Sequence, residues 1–458
     1  MTDTLDEIRV SALPPVPRNP LPYRQQMKAI RNLHTGIEQL RDAGGRVTRL
    51  TLAPKWLLPP IVVATSPRGG RDILGRSDAF VDKTTVHDQM RRLLGDNLFD
   101  LPHDLWLARR RALQPVFTKK NVRSFSEHMA QASEAVCTTW CEIGEIDLDA
   151  ECRKLTLRSL GRSVLGLDLD DRAEAIAEPM RIALKYLTDR SLQPIRAPEW
   201  LPTPARRRAR AAAAALHGLA AEILQACRAE PTRDAPLVRA LMAARDPASE
   251  RPLSDDEICS DLTAFMVAGH DTTATALAYA LWALGHHHEI QDKVAAEVSA
   301  IGDRELTAED APRLSYTVQV LREALRLCPP AAALPRAAVC DIEVDGHRVE
   351  RGTLVAYGIY AVHRDPKYWE HPLVFDPERF TDERMKSRDR WQYVPFGGGP
   401  RSCIGDHFAM LEATVALATI IRRTEIRSLD NEFEFVVPFT MTAATPIPAR
   451  VEIRQPLS

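Results

Sequence analysis

The chain lacks the features that mark several broad classes of protein. It contains no run of 18 or more consecutive apolar residues, and no signal peptide opens it. We therefore expect no transmembrane anchor and a cytoplasmic location. The formal net charge is −2 and the pI is about 6.7, which argues against a protein that binds nucleic acid.

The sequence also shows no paired cysteines and no interdomain linker. Its 8 cysteines have neither disulfide nor zinc spacing, as expected in a reducing compartment, and we interpret Cys137 and Cys141 as core residues. No break in composition divides the 458 residues. We therefore predict a single domain over residues 1–458, with about residues 1–25 as an extended, proline-rich N-terminal arm.

The most informative segment that is present is FGGGPRSCIG, which places a lone thiol, Cys403, after three glycines and a proline. Apolar residues then recur at helical spacing from Phe408 to Ala418, so Cys403 lies at or just before a helix N-terminus. We expect the helix dipole and free N–H groups to favour the thiolate there, which is a soft metal ligand. The glycines allow the backbone to pass close to a flat, bulky group.

This segment resembles the haem-binding loop of the cytochrome P-450 superfamily, whose pattern is F-x-x-G-x-R-x-C-x-G. The resemblance implies haem b as the cofactor and Cys403 as the axial ligand of its iron. A single cysteine in a glycine-rich turn is more often a buried structural residue, but a match at every fixed position favours the ligand. The matching positions are Phe396, Gly399, Arg401, Cys403 and Gly405.

A second segment resembles the same family independently. Ser254 and Glu257 form a predicted capping box, and the helix that follows reaches about Leu284. The sequence AGHDTT interrupts its middle with poor helix formers, and it resembles the A-G-x-D-T motif of the family. The resemblance implies that Asp271 and Thr272 relay protons to dioxygen, and that Ala268 and Gly269 leave room for O2 and substrate. The alternative is a helix kink packed by small residues.

Further charged residues match positions that hold the family's fold and its cofactor. Glu323 and Arg326 match E-x-x-R, and Arg379 lies in the PERF segment, so we expect one buried structural charge network. The resemblance also implies a set of partners for the haem propionates, to which His103 is a weaker candidate. That set is Trp106, Arg110, Arg336 and Arg401.

The predicted fold is mainly α with a smaller β-rich lobe, an α+β architecture. Strands are expected between residues 45 and 66 and again from 342 to 356, where Asp345-Gly346 marks a hairpin turn. The segment 105–325 reads as mostly helical. The resemblance places the haem between the long central helix and the helix that follows Cys403.

The function implied by the resemblance is a haem-thiolate monooxygenase that inserts one atom of O2 into a lipophilic substrate. Fatty acid, terpenoid and steroid are the candidate classes, in that order. No segment after the Cys403 helix is long enough for a flavin domain. We therefore expect electrons from NAD(P)H through a separate ferredoxin, or flavodoxin, and its reductase, and we expect a monomer. A peroxide-using enzyme and a non-catalytic haem-binding protein are the alternatives.

The resemblance also suggests a substrate pocket and a docking face. Part of the pocket is expected from residues 185–205, and exposed cations for a ferredoxin are predicted at Arg109, Arg111, Lys119 and Lys120. We interpret the histidines at 286–288 as a helix end. The basic run at 206–210 is interpreted as a solvated helix face, and contact with a membrane surface or an anionic lipid substrate is the alternative. The other predicted pocket residues are Leu98, Phe99, Phe265, Ala332, Ala333, Leu334, Phe439 and Met441.

Overall fold

The computed structural model describes eight stretches of the chain, and the architecture is predominantly helical with a smaller strand-rich lobe, as predicted. Positions 1–9 of the predicted arm, and 192–196 and 199 of the predicted pocket segment, lie outside the described residues. The described stretches are residues 10–54, 58–76, 81–82, 85–169, 172–191, 197–198, 200–246 and 250–455.

The helices fall into an N-terminal group, a long middle group and a C-terminal group. The first are α1 (Tyr23–Arg31), α2 (Leu33–Gly44), α3 (Pro67–Leu74), α4 (Thr85–Leu94), α5 (His103–Leu113) and α6 (Lys119–Val122). The middle group is α7 (Ser126–Ile143), α8 (Leu148–Leu160), α9 (Ala173–Ser191), α10 (Pro204–Ala229), α11 (Pro236–Ala243), α12 (Asp255–His286), α13 (His288–Ser299) and α14 (Ser315–Leu327). The last are α15 (Ile359–His363), α16 (Asp382–Ser387) and α17 (Asp406–Arg423).

Strands form one five-stranded sheet and three smaller ones. The large sheet has the order β1 (Val47–Leu50), β2 (Ile61–Ala64), β8 (Leu354–Tyr357), β5 (Leu334–Ala338), β3 (Val81–Asp82), and only the β2–β8 pair is parallel. A three-stranded sheet has the order β4 (Glu145–Asp147), β12 (Pro448–Ile453), β9 (Thr424–Ser428). The two hairpins are β6 (Ile342–Val344) with β7 (His347–Val349), and β10 (Phe435–Val436) with β11 (Thr442–Ala443).

Local sequence signals explain the two elements that were predicted most sharply. The capping box starts α12, because the Glu257 N–H donates to Ser254 Oγ at 3.3 Å and the Ser254 N–H donates to Glu257 Oε2 at 2.8 Å. The turn between β6 and β7 has Asp345 at φ 48° and Gly346 at φ 80°, the left-handed pair that a two-residue hairpin requires.

The central helix α12 organises the larger core. It is 32 residues long, about 48 Å at the usual rise, and it is buried along most of its length. It packs against α8, α10, α14, α17 and β9, so each of these elements is positioned by the same helix. Among the described residues, no helix combines the length and the apolar character needed to cross a membrane.

Three subsidiary predictions have mixed outcomes. The histidine run is a helix end, because α12 stops at His286 and α13 starts at His288. Cys137 is buried as predicted, whereas Cys141 is only half-buried. The basic run is not uniformly solvated: Arg206 is 4% exposed and donates to the carbonyl oxygens of Pro198 and Leu201 at 2.6 and 2.8 Å. Its guanidinium therefore anchors the segment before α10.

Candidate active site

The Cys403 loop is a tightly folded turn that joins the strand-rich lobe to α17. The Cys403 N–H donates to the Phe396 carbonyl at 2.9 Å, which closes the loop on itself. Gly399 has φ 69°, and a Cβ there would lie 1.9 Å from the carbonyl oxygen of Leu74 on α3. Any side chain at Gly399 would therefore separate the loop from α3.

The electrostatics of Cys403 differ from the sequence expectation. Its side chain is exposed, but the protein packed around the loop partly desolvates the thiol and raises its pKa to about 11. The Gly405 N–H and the charge of Arg110 oppose this rise but are smaller influences. The helix N-terminus alone thus does not produce a thiolate, because α17 begins three residues later and desolvation dominates.

Three of the four predicted propionate partners, Trp106, Arg110 and Arg401, lie together at the Cys403 loop. Arg110 on α5 donates to the Ser402 carbonyl at 3.0 Å, and its burial lowers its pKa. The Arg401 guanidinium stacks on the buried Trp106 ring, 4.2 Å from the ring centre. Arg336 on β5 is also buried, at 5% exposure. His103 lies against Trp106, with a ring separation of 6.0 Å.

The middle of α12 carries an accessible face within an otherwise buried helix. Ala268 is exposed and Thr272 is half-buried, one turn apart. The Thr272 hydroxyl donates back to the Ala268 carbonyl at 2.8 Å, as threonines within helices do. His270 is buried, and burial lowers its pKa to about 4, so its ring is neutral.

Gly269, predicted to leave room for O2 and substrate, is half-buried beside the exposed Ala268. A Cβ at Gly269 would lie 3.0 Å from Cδ1 of Leu160, so the missing side chain also accommodates the approach of α8.

Sequence reasoning missed the partners of Asp271. Arg153 on α8 forms an ion pair with Asp271, and the Thr440 hydroxyl donates to the other carboxylate oxygen. Arg153 also pairs with Asp149 at 2.8 Å and donates to Thr442 Oγ1 at 2.7 Å. The predicted relay acid is therefore held by a charge and a hydroxyl from distant parts of the chain, with no local sequence signal.

A second missed carboxyl group lies between three helices. Glu412 on α17 is fully buried, with Ser159 of α8 and Thr273 of α12 as its polar neighbours. Burial raises its pKa to about 8, so the group is protonated at neutral pH. The helical spacing after Cys403 places Glu412 in α17, but spacing alone does not reveal that α8 and α12 enclose it.

Arg109 is not the exposed docking cation that the sequence suggested. It is 6% exposed and forms an ion pair with the fully buried Asp261 of α12, whose pKa burial raises to about 6. Helical geometry explains the difference, because adjacent residues on α5 point in different directions. Arg111, Lys119 and Lys120 are exposed.

The predicted pocket residues divide into two sets. Ala332 and Met441 are buried in the core at 1% and 0% exposure, and Leu98 is 7% exposed. The Phe99 and Phe439 rings meet edge to face, with 5.8 Å between their centres. Phe265 stacks on Phe117 with 5.4 Å between the ring centres, and Phe117 was not among the predicted pocket residues. The predicted residues that keep accessible surface are Phe99, Phe265, Ala333, Leu334 and Phe439.

The three residues of the predicted charge network are in contact with one another. Glu323 and Arg326 are both at 0% exposure and pair at 2.7 Å, and Arg379 Nε lies 3.3 Å from Glu323. Burial raises the pKa of Glu323, and the guanidinium of Arg326 opposes that rise. Arg326 also donates to the carbonyls of His363 and Pro372, at 2.8 and 2.7 Å, so the network ties α14 to the segment after α15.

Comparison with known proteins gives a consistent result. A family model described as Cytochrome P450 matches residues 14–450. Cyclooctat-9-en-7-ol 5-monooxygenase of Streptomyces melanosporofaciens is 32% identical over 370 residues, covering 80% of this chain and 80% of the relative. Pentalenene oxygenase of Streptomyces avermitilis is 29% identical over 387 residues, covering 84% of this chain and 85% of the relative. The crystal structure of the cytochrome P450DA heme domain superposes with a TM-score of 0.84 at 24% identity, covering 97% of this chain and 99% of that chain.

We predict that Glu323→Ala prevents recovery of haem-loaded protein. Removing one partner of a buried charge pair costs roughly 3–5 kcal/mol, because the remaining charge stays buried. That is a large share of a typical stability of about 5–15 kcal/mol. The measurement is haem content and urea midpoint beside Glu145→Ala, which breaks an exposed pair with Arg450 at 2.8 Å. Equal behaviour of the two variants would contradict a structural role for the network.

We predict that Glu412→Gln changes how stability depends on pH. The pKa in the folded state, about 8, lies above the ordinary value of 4.5, so the folded protein holds this proton more tightly. The stabilisation from this proton is therefore complete below about pH 4.5, and it is lost as pH rises through about 8, by at most about 1.4 kcal/mol per pH unit. The urea midpoint of the variant should rise relative to that of wild type as the pH is raised from 5 to 8. A constant difference would show that Glu412 is ionised throughout.

Proposed function

Because the chain belongs to the cytochrome P450 family and is therefore a haem-containing monooxygenase that uses O2, we propose that Cys403 ligates the haem iron and that a lipophilic substrate binds beside Ala268. The observation that carries this proposal is the accessible thiol of Cys403 in a loop closed by Phe396 and held by Arg110. The family assignment also argues against a non-catalytic haem-binding protein.

The residues around the loop fit haem. Gly397 and Gly399 both have positive φ, a conformation that permits the tight turn which presents the Cys403 thiol. Arg110, Arg336 and Arg401 supply three cations for two propionates, and the Trp106 ring stacks on the Arg401 guanidinium. When bound, the haem supplies the oxidative chemistry, which a thiolate ligand favours by donating electron density.

Asp271 and Thr272 are proposed to carry protons to the reacting oxygen. The Thr272 hydroxyl lies on the accessible face of α12, and Asp271 is its neighbour in the chain. Arg153 and Thr440 contact the two carboxylate oxygens and orient the group, so Asp271 can take part in a proton transfer only when one of these partners releases it. The Arg153 pair is therefore the proton-controlling contact of the site.

The substrate is proposed to be lipophilic and terpenoid-like, ahead of a fatty acid or steroid. Two relatives carry cyclooctat-9-en-7-ol and pentalenene in their names, and both names denote largely hydrocarbon compounds. The accessible residues near the site are aromatic or aliphatic, including Phe99, Phe265 and Leu334. A mostly apolar pocket binds such compounds by excluding water, and a few polar groups then orient them.

Electrons are proposed to come from NAD(P)H through a separate ferredoxin, or flavodoxin, and its reductase. Arg111 and Lys119 are exposed close to the Cys403 loop, because Arg110 ties α5 to that loop and α6 packs on α17. We further propose that residues 1–458 form one domain of a monomeric, cytoplasmic protein, in keeping with its eight free cysteines.

We predict that Thr272→Ala retains haem and substrate binding but uncouples the reaction. Without the hydroxyl, protons reach the wrong oxygen, so reductant is consumed and peroxide is released in place of product. The measurement compares reductant consumed with product formed, using surrogate redox partners and the compound from a terpenoid and lipid panel that shifts the haem spectrum most.

Thr263→Ala is the matched control, because Thr263 is a buried threonine of the same helix. Its coupling should equal that of wild type. Unchanged coupling in Thr272→Ala would remove Thr272 from the relay, and turnover with peroxide alone at the same rate would favour the peroxide-using alternative.

We predict that reversing Arg111 and Lys119 to Glu slows reduction by an acidic ferredoxin and leaves substrate binding intact. Complementary charge raises encounter rates, and salt screens it. The control reverses Arg207 and Arg208, two exposed cations on α10. Stopped-flow reduction at low and high ionic strength decides the question. Equal rates and equal salt dependence in both double variants would place docking elsewhere.

A further inference from the structure

Asp261 is a buried carboxylate that belongs to none of the motifs described so far. It lies on α12 with 0% exposure, about three turns before Asp271. One carboxylate oxygen accepts a hydrogen bond from the Leu98 N–H at 2.6 Å, and the other forms the ion pair with Arg109 of α5. A single side chain thus joins the central helix, α5 and the loop between α4 and α5.

That loop is cross-linked by hydrogen bonds of its own. Asn97 organises it: its Oδ1 accepts from the Phe99 N–H at 3.0 Å, and its Nδ2 donates to the Gly95 carbonyl at 2.9 Å. The N–H groups of Asp100 and Leu101 both donate to the Asn97 carbonyl at 3.0 Å. A shift at the Leu98 N–H would therefore carry the Phe99 side chain with it.

Two further contacts dock the loop at its ends. Gly95, at φ 81°, approaches α12 so closely that a Cβ there would lie 2.1 Å from Ser260 Oγ. At the other end, Arg401 donates to the Leu101 carbonyl at 3.0 Å. Asp261 lies between these points, and among the described contacts it is the one that adds a charged acceptor to the middle of the loop.

We propose that Asp261 and Arg109 are a positioning pair that holds Leu98 and Phe99 against α12 and so determines which bulky substrates fit. The proposal rests on the proposed placement of the substrate beside these two residues. The Phe99 ring faces Phe439 at 5.8 Å, so its position fixes the gap between two walls of the pocket.

The pair is suited to this role because of its charge. A carboxylate with no solvent contact needs its counter-charge, and Arg109 supplies it from a helix that also contacts the Cys403 loop through Arg110. Arg109 also forms a second, longer ion pair, since its Nη2 lies 3.8 Å from Oε1 of Glu257 in the first turn of α12. The loop between α4 and α5 is thereby fixed relative to two helices. These are α5, which contacts the Cys403 loop, and α12, which carries Asp271 and Thr272.

The test uses haem-loaded Asp261→Ala and Asp261→Asn, with Asp255→Asn as the matched control from the exposed first turn of the same helix. Hydrogen exchange of the Leu98 amide and spectral titration with imidazole and with 1-dodecylimidazole are measured. A hydrogen bond to a charged acceptor is worth roughly 1.5–3 kcal/mol, so its loss should speed exchange at Leu98 about tenfold or more.

We expect Asp261→Ala to weaken dodecylimidazole binding by about the same factor while imidazole, which is too small to contact the loop, binds as in wild type. Asp261→Asn keeps an acceptor for Leu98 and should be intermediate, and it remains informative if Asp261→Ala does not fold. A purely structural role would instead weaken both azoles alike, and either that result or unchanged exchange at Leu98 would overturn the proposal.

Phe99→Ala distinguishes the two ways in which the proposal can fail. If Phe99→Ala leaves dodecylimidazole binding unchanged, the substrate does not lie beside this loop, and the proposed pocket is wrong. If Phe99→Ala changes that binding but both Asp261 variants match Asp255→Asn, the pocket stands and the positioning role of Asp261 is wrong.

Discussion

The presentation of the Cys403 thiol, accessible in a loop that is packed against α3 and α5, is the constraint on which the rest of the site depends. Burial raises the pKa of this thiol to about 11, and the nearby N–H of Gly405 and the charge of Arg110 oppose that rise only in part. A metal ion deprotonates a coordinating thiol outright, so the protein has to provide shape rather than a preformed anion. The thin glycine loop, the accessible thiol and the contact of α5 with Ser402 are the features that provide it.

Buried carboxylate–arginine pairs connect this site to the fold. Glu323 pairs with Arg326 and Arg379, Asp271 with Arg153, and Asp261 with Arg109. In the last two pairs the carboxylate comes from α12 and the arginine from another helix. Each pair is costly to break because one charge would remain in protein without a partner. The long central helix therefore holds its neighbours through charge as well as through apolar contact.

The sequence predicted the parts of the structure that depend on residues close together in the chain. The Cys403 loop, the capping box of α12 and the hairpin at Asp345-Gly346 each depend on neighbours within a few positions. Contacts between distant residues were not predicted. Arg153 lies 118 positions from Asp271 and Leu98 lies 163 from Asp261, so only the approach of α8 and of the loop between α4 and α5 to α12 brings them together. The misplaced Arg109 was an error of the same kind, since its environment depends on which neighbour its face of α5 meets.

The ligation of iron by Cys403 is the central claim, and the ferrous–carbon monoxide spectrum tests it most directly. Wild-type protein should show the strongly red-shifted Soret band of a thiolate ligand, and Cys403→Ala should lose it. The distant Cys340→Ala should retain the band, since that half-buried cysteine lies outside the loop. A red-shifted band that persists in Cys403→Ala, or is missing from haem-loaded wild type, would contradict the account.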